Sequence, residues 1–235
     1  DDNAVVVFAR NEETGELTYL MRIKGGEGNP EHPYQLANPY DVVVSPDGQY
    51  VYVAAATDGV VAIFARDAET GELTYDGFIG HESLAGVRAV VVSPDGQYVY
   101  AASFTSGSVV ILKRNGEGAL EYIGNLTDGE SGCDGLAGAR DIAMSPDGTN
   151  VYVASWDDHA ITTFTRDPGT GALTYVGTLK DGADGVDGLA HATSVTVSAD
   201  GKHVYVAGNG DNAIAVFARG EDGTLTHVTT VYDDV

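Results

Sequence analysis

Six polar side chains lie at or just before the predicted first strands of a repeated unit, where they could do acid–base chemistry. An arginine can hold a carboxylate, and a histidine or glutamate beside it can act as a base. Because the six come from different repeats, they could converge on one cavity, and Arg88, Arg140 and His191 are the candidate catalytic residues. Solvated or ion-paired rim residues are the alternative, since Tyr40 and Thr193 occupy the arginine position in the other two repeats. The six residues are Arg88, Arg140, Asp141, His81, Glu82 and His191.

Two near-duplicate acidic loops could bind a hard cation. Residues 128–135 and 181–188 read DGESGCDG and DGADGVDG, so that acidic residues alternate with glycine. Carboxylate oxygens in such a loop could fold around Ca²⁺, which takes several oxygen ligands, although the spacing does not match an EF-hand. Plain Asp-Gly turns are the alternative. The candidate ligands are Asp181, Asp184, Asp187, Asp128, Glu130 and Asp134, and no cofactor other than Ca²⁺ is indicated.

The remaining reactive residue types have structural interpretations. Cys133 is the only cysteine, so no intrachain disulfide can form, and we interpret it as a passive thiol. His159 and His203 fall in turn and strand positions that other residue types fill elsewhere, and we interpret both as structural. Trp156 at a strand end is either a rim contact for a ligand or a packing residue.

The elements that position these residues follow from a recurring turn. Ser-Pro-Asp-Gly begins at Ser45, Ser93 and Ser145, and the variant Ser-Ala-Asp-Gly begins at Ser198, at intervals of 48, 52 and 53 residues. Each copy follows a β-branched run and precedes a Tyr/Val alternation. This period, with strands on both sides of a tight turn, is typical of a β-propeller blade. The sequence therefore predicts an all-β protein, a β-propeller of four-stranded antiparallel blades.

The blade count is four full blades plus an N-terminal half blade in a single array. The opening residues 2–10 match residues 211–219 almost one for one, which places the start of the chain at a third strand. Because an open two-stranded edge is avoided in folded proteins, we expect an excerpt of a longer array, a self-assembling chain, or a half blade that caps an irregular ring. The predicted half blade is 1–24, and the blades are about 40–79, 88–126, 139–180 and 192–232.

Two further residues recur in every blade and are expected to serve packing. An arginine follows each turn serine by 21 positions, and we expect it to pair with acidic turns such as Asp67, Asp167 and Glu221. Each connection between blades carries Leu-Ala, whose leucine is expected to fill the space between neighbouring blades.

The charge balance excludes some partners. The chain has 12 Lys+Arg against 35 Asp+Glu, a net charge of −23. Such a surface repels nucleic-acid phosphates and anionic lipid, and no run approaches the length of a membrane span. We therefore expect no nucleic acid and no membrane insertion, and a protein partner by self-association or through neighbouring blades.

The blade motif resembles a known superfamily. Residues 44–54 with 64–75, and 197–207 with 217–226, are similar to the lactonase-type, YVTN-repeat β-propellers, which include 6-phosphogluconolactonase-like and carboxymuconate-cyclase-like proteins. The motif holds turn and core residues, so the resemblance implies the fold and transfers no catalytic residue. Family enzymes usually have seven blades, and the count here departs from that pattern.

These observations give two functional hypotheses. The first is a non-enzymatic scaffold or interaction module, extracellular or at the cell surface, with the periplasm as the other location that fits an acidic, lysine-poor surface. The alternative is a lactonase-like or cycloisomerase-like enzyme that acts on a small carboxylated lactone. Convergence of Arg88, Arg140 and His191 on one cavity would favour the enzyme.

Overall fold

Each Ser-Pro-Asp-Gly turn closes a hairpin between the first two strands of a blade. In the first copy the Gly48 N–H donates to the Ser45 carbonyl at 2.8 Å, and Gly48 has φ of +71°, a conformation that glycine adopts without strain. The Asp47 carboxylate accepts hydrogen bonds from the Ser45 hydroxyl and the Gln49 N–H. The turn is thus fixed by its own residues before any packing between blades.

The computed structural model describes residues 3–25 and 35–233, which form eighteen antiparallel strands. The predicted four-stranded antiparallel blades are confirmed. Strands β1 (Ala4–Arg10) and β2 (Leu17–Lys24) pair in a two-stranded sheet, which we call the half blade. Blade 1 consists of β3 (Pro39–Val44), β4 (Tyr50–Ala55), β5 (Val60–Arg66) and β6 (Leu73–Gly80), and blade 2 of β7 (Val87–Val92), β8 (Tyr98–Ser103), β9 (Ser108–Arg114) and β10 (Leu120–Thr127). Blade 3 consists of β11 (Ala139–Met144), β12 (Asn150–Ser155), β13 (Ala160–Arg166) and β14 (Leu173–Lys180), and blade 4 of β15 (Ala192–Val197), β16 (His203–Gly208), β17 (Ala213–Arg219) and β18 (Leu225–Tyr232).

The first strands of consecutive blades, β3, β7, β11 and β15, are neighbours and line the inner wall of the array. Because each blade is an antiparallel meander, its strand 1–2 and 3–4 turns lie at one end, and its strand 2–3 loop and the connection to the next blade lie at the other. We call these ends the turn face and the loop face. No helix in the described part of the chain is long and apolar enough to cross a membrane, and the one helix there is the 3₁₀ turn Glu82–Leu84.

The recurring leucine packs between blades, as predicted. Leu36, Leu84, Leu136 and Leu189 are fully buried, and each belongs to a separate core cluster that joins adjacent sheets. Burying one leucine contributes about 2 kcal/mol. The core is therefore a series of layers between blades.

The recurring arginine is structural, but its expected partners were wrong. The Arg114 guanidinium donates to Asp47 Oδ2 at 2.6 Å, to the Tyr52 hydroxyl at 2.8 Å and to the Gly96 carbonyl at 3.1 Å. The Tyr52 hydroxyl in turn donates to the Gly118 carbonyl at 2.9 Å. Asp47 and Tyr52 belong to the preceding blade, so these hydrogen bonds tie two blades together on the turn face. We call the arginine, the aspartate, the tyrosine and the glycine carbonyl of this set the blade clamp. Arg166 with Asp95, Tyr100 and Gly171, and Arg219 with Asp147, Tyr152 and Gly223, repeat it.

The acidic turns that follow the arginines have another use. Asp67 and Asp167 accept backbone N–H groups of their own turns, from Glu69 and Thr70 in the first case. The hydrogen bonds from Thr70 and Thr170 lower the pKa of Asp67 and that of Asp167, and the clamp carboxylates have lowered pKa values as well. Burial opposes ionisation of Asp47, but the hydrogen bonds from Ser45 and Gln49 and the Arg114 guanidinium lower its pKa to about 2.

Candidate functional site

A β-bulge in every first strand positions the inner-wall candidates. The pairing register shifts between Pro39 and Asp41, and at the same place in the other three blades, so that one residue of each first strand is left out of the ladder. Bulges turn a side chain away from the regular direction of its strand. The four bulge residues are Tyr40, Arg88, Arg140 and Thr193.

All four bulge residues line one cavity of about 190 Å³ on the inner wall. The structure thus brings the candidates Arg88 and Arg140 together, with Asp141 also on the wall. Within the described ranges neither arginine has a carboxylate ion pair, whereas three of the recurring arginines each hold an aspartate. Two inward arginines without an ion-paired carboxylate have the charge and the N–H donors to hold an anion, although Asp41 and Asp141 line the same cavity.

Each of these two arginines rests on an aromatic ring. The Arg88 guanidinium carbon lies 3.7 Å from the centroid of the Phe104 ring, and that of Arg140 lies 4.7 Å from the centroid of Trp156. Burial lowers the pKa of Arg88, and the like charge of Arg140 lowers it further. Both side chains are held by stacking, which leaves their N–H groups for a ligand.

Two aspartates line the same cavity as the arginines and join adjacent first strands. Asp41 Oδ2 accepts the Val90 N–H at 2.8 Å, and Asp141 Oδ2 accepts the Val195 N–H at 2.8 Å and the Ser194 hydroxyl at 2.7 Å. Burial raises the pKa of Asp141, and the charge of Asp41 adds to that rise. Asp141 therefore has a positioning role in this geometry.

His191 is not among the residues that line the inner-wall cavity, so the structure brings together only Arg88 and Arg140 of the three candidate catalytic residues, and Trp156 lies between His191 and Arg140. The His191 ring stacks on Trp156 with the centroids 4.5 Å apart, and its Nδ1 lies 3.3 Å from the Trp156 carbonyl oxygen. Since a carbonyl only accepts, we assign the proton to Nδ1, and Nε2 has no hydrogen-bond partner among the residues described. An imidazole held in this tautomer presents a basic Nε2.

His159 fixes the position of His191. The His191 N–H donates to His159 Nδ1 at 2.8 Å, and the two rings lie 4.4 Å apart. Both residues have φ of +51°, in positions where Gly86 and Gly107 stand in blade 2. Histidine in this left-handed conformation is strained, and such strain is concentrated at functional sites.

His81 and Glu82 line a second, larger cavity. It has a volume of about 710 Å³, lies on the loop face between blades 1 and 2, and shares Arg88 and Tyr40 with the inner-wall cavity. The His81 ring stacks on Tyr122 at 3.8 Å, and its Nδ1 accepts the Ser83 N–H. The structure therefore places His81 and Glu82 in one cavity with Arg88, whereas Arg140 and His191 do not line that cavity.

The acidic loops bring together only some of the predicted Ca²⁺ ligands. Asp128 and Asp134 meet Asp158, and Asp181 and Asp187 meet Asp211. Asp184 and Glu130 lie in neither group, and both are exposed. The third carboxylate comes from a strand 2–3 loop, which the spacing within one acidic loop could not indicate.

The two clusters of three aspartates have different neighbours at the adjacent strand end. Lys180 Nζ lies 3.0 Å from Asp134 Oδ1 and 3.3 Å from Asp158 Oδ1, so an ammonium already occupies the first group. At the corresponding strand end Tyr232 donates its hydroxyl to Asp187. Ca²⁺ binding stays a prediction.

Buried Cys133 has no reactive character. Burial and the charges of Asp128 and Asp134 raise the pKa of its thiol to about 11, so it is a thiol and not a thiolate at neutral pH.

Sequence reasoning missed the aromatic supports and the bulge. A signal for the aromatic supports was present, because an aromatic residue follows the second strand only in the two blades whose bulge residue is arginine. Phe104 accompanies Arg88 and Trp156 accompanies Arg140, whereas Ala56 and Asn209 stand at that position in the other two blades.

Comparison with protein families gives one match that spans the chain. The model of a family described as "Lactonase, 7-bladed beta-propeller" matches residues 1–133 and 129–233. A comparison with curated proteins found no significant match.

Solved structures of low identity share the fold. A candidate 6-phosphogluconolactonase from Bacteroides uniformis is 24% identical with a TM-score of 0.81, over 99% of this chain and 66% of its own. The periplasmic gluconolactonase of Pseudomonas aeruginosa is 25% identical with a TM-score of 0.78, over 97% of this chain and 63% of its own. A protein from Lactobacillus plantarum is 23% identical with a TM-score of 0.74, over 98% and 68%. The chain thus spans just under two thirds of the length of the first two structures.

The family match corrects the functional expectation. The sequence-based hypothesis of a non-enzymatic scaffold is wrong, because the matched family is one of lactonases and the similar structures include gluconolactonases. The repeated blade motif led to it, since that motif contains no catalytic residue.

Proposed function

The chain belongs to the lactonase family of seven-bladed β-propellers, and we propose that it hydrolyses a small lactone that carries an anionic group. The observation that carries the proposal is the pair Arg88 and Arg140, which share a cavity and lack carboxylate partners among the described residues. The cavity of about 190 Å³ equals the liquid volume of roughly six waters, which suits a single small ring.

The chemistry assigns a role to each group. The arginines hold the anionic substituent and stabilise the negative charge that develops on the carbonyl oxygen. His191 Nε2 takes a proton from water as the water oxygen attacks the lactone carbonyl. The ring C–O bond then breaks, and the ring oxygen receives that proton from His191 to give the hydroxy acid. Trp156 positions both Arg140 and His191.

Acid release from lactones tests the proposal. Purified protein is given glucono-δ-lactone or its 6-phosphate in a pH-indicator assay, with the spontaneous hydrolysis rate subtracted. We expect faster turnover of the phosphorylated lactone. Arg140→Met should raise the KM for the phosphorylated lactone by about tenfold or more, since a charge-assisted hydrogen bond is lost. Lys113→Met is an exposed control with the same charge change, and it should leave that KM unaltered.

His191→Asn tests the base. Asn38 occupies the corresponding position in blade 1 with φ of +58°, so asparagine fits this backbone. We expect kcat to fall about 10²- to 10⁴-fold with KM little changed. The proposal would be refuted if neither lactone is hydrolysed faster than its spontaneous rate. It would also be refuted if Arg140→Met and Lys113→Met have equal kinetics.

We also infer a location outside the cytosol. The support is the acidic surface with few lysines, together with a similar structure that is named as periplasmic. Fractionation of the source cells followed by immunoblotting tests this, and recovery in the cytosolic fraction alone would contradict it.

A further inference from the structure

We propose that the larger cavity on the loop face, which we call the loop-face cavity, binds a sugar unit that is joined to the lactone. The inference rests on the proposed function for the reaction and adds the class of substrate, a glycosylated sugar lactone with an anionic group. The loop-face cavity has a volume of about 710 Å³, within the usual range of ligand sites, whereas the inner-wall cavity of about 190 Å³ suits a single small ring.

The loop-face cavity lies beside a short connection between blades. Residues 81–83 alone separate β6 from the buried Leu84, whereas the acidic loops 128–135 and 181–188 separate β10 and β14 from the corresponding leucines. The short connection itself supplies part of the wall. Among the described lining residues none belongs to the half blade or to blade 4, so the cavity is a property of the junction between blades 1 and 2.

An aspartate in the wall lacks the cation that its counterpart holds. Gly80 ends β6, whereas Lys180 ends β14 at the same position in blade 3. The Lys180 Nζ lies 3.3 Å from Asp158 Oδ1, but the corresponding Asp58 has no ion pair among the described residues. Asp58 Oδ2 accepts the Ala37 N–H at 2.8 Å, and its Oδ1 has no described donor. The wall therefore has a carboxylate oxygen that can accept a hydrogen bond from a ligand.

Other polar side chains in the wall have hydrogen-bonding atoms without a partner in the described part of the chain. His81 Nδ1 accepts the Ser83 N–H at 3.1 Å, so we assign the proton to Nε2, which can donate to a ligand. The Glu82 carboxylate can only accept, and threonine hydroxyls can do both. Sugar hydroxyls pair with donors and acceptors alike, whereas two carboxylates in the wall disfavour a second anion. The side chains are those of Asn38, Thr57, His81, Glu82 and Thr105.

Arg88 joins the two cavities, because it lines both of them. Its guanidinium carbon lies 3.7 Å from the centroid of the Phe104 ring and 5.0 Å from that of the Tyr40 ring, and Tyr40 also lines both cavities. One ligand can therefore hold its anionic group at Arg88 and extend past Tyr40 into the loop-face cavity. The Tyr40 ring offers an apolar face to the C–H groups of a sugar, together with a hydroxyl.

Binding of aldonates tests this inference without turnover. An aldonate is the hydroxy acid that hydrolysis of a sugar lactone yields, and its carboxylate is the anionic group that Arg88 and Arg140 would hold. Calorimetric titration compares gluconate with maltobionate and melibionate, in which a second sugar is attached to the gluconate unit at different positions. We expect at least one of the two disaccharide acids to bind with a Kd about tenfold or more below that of gluconate.

Two glutamate variants locate the second sugar. Glu82→Ala should raise the Kd of the tighter disaccharide acid by about tenfold, because a charge-assisted hydrogen bond is lost, and should leave the Kd of gluconate unaltered. Glu130→Ala is the matched control, because Glu130 is an exposed glutamate of the next connection and lines neither cavity. This control should bind all three acids as the wild type does.

The inference would be overturned if neither disaccharide acid binds more tightly than gluconate, or if Glu82→Ala and Glu130→Ala have equal Kd values. Its failure is distinguishable from failure of the proposed function. Lactone hydrolysis with equal Kd values for the three acids would refute the sugar site alone. Tight binding of a disaccharide acid that Glu82→Ala weakens, without hydrolysis of any lactone, would refute the lactonase activity and support the site.

Discussion

Removal of one clamp carboxylate tests how the blades are held together. In Asp95→Asn the Oδ1 that accepts the Ser93 hydroxyl and the Gln97 N–H remains, so the turn is kept. The Arg166 guanidinium loses its bond of 2.6 Å to Asp95 Oδ2, although its side chain is only 2% exposed.

The loss should be about 2 kcal/mol. A charge-assisted hydrogen bond contributes about 1.5–3 kcal/mol, and a fully buried pair that loses one partner costs about 3–5 kcal/mol. The lower range applies, because the Asp95 side chain is 30% exposed and Arg166 still donates to Tyr100 and Gly148. With a urea m-value of about 3 kcal/mol/M, the unfolding midpoint should fall by about 0.7 M.

Asp200→Asn is the matched control, because it alters the same turn where no arginine is bound. Its midpoint should change by less than about 0.2 M.

The difference between the variants should also depend on pH. Burial opposes ionisation of Asp95, but its hydrogen bonds and Arg166 lower its pKa below the usual 3.8, so the carboxylate stabilises the fold above about pH 4.

That stabilisation is lost as the pH falls below about 4 and through the lowered pKa of the folded state, so the wild type and Asp95→Asn should converge there. Equal losses in Asp95→Asn and Asp200→Asn at neutral pH would refute the clamp as the source of stability.

Two other substitutions test packing and local charge. Gly171→Ala places a Cβ 2.3 Å from the Tyr98 ring, whereas at Gly15 a Cβ meets nothing within 4 Å, and both glycines have positive φ. Urea unfolding should therefore show that Gly171→Ala costs more than Gly15→Ala by about 2 kcal/mol, and equal costs would show that the clash is relieved. Lys180→Met removes the ammonium between Asp134 and Asp158. The substitution should lower the free energy of unfolding by about 1 kcal/mol in low salt, and by less in high salt because salt screens the ion pairs. A loss that does not depend on salt would count against a contribution from the ion pairs.

The sequence predicted what is local or periodic. The turn at Ser45 and its repeats predicted the blades, and Leu36 and its repeats predicted the layers between them. Arg88 and Arg140, which hold the same position in two blades, were candidates for one cavity, and both line it, although a functional role for them stays a prediction.

What it did not predict depends on residues that are distant in sequence. Arg166 meets Asp95 across 71 positions, and Asp158 joins Asp134 from a different loop. The bulge at Arg88 is set by pairing between strands, which leaves no mark in the order of residues. Partners of this kind become visible only when adjacent blades are in contact.

The separation of the two faces has an evolutionary consequence. The clamps lie on the turn face, whereas Trp156, His159 and His191 lie on the loop face with the arginines. Substitutions in the loops can therefore change the side chains on the loop face while the contacts that join the blades stay intact. Duplicated blades can accumulate different loops on one unchanged framework, so the chemistry of that face can diverge without loss of the fold.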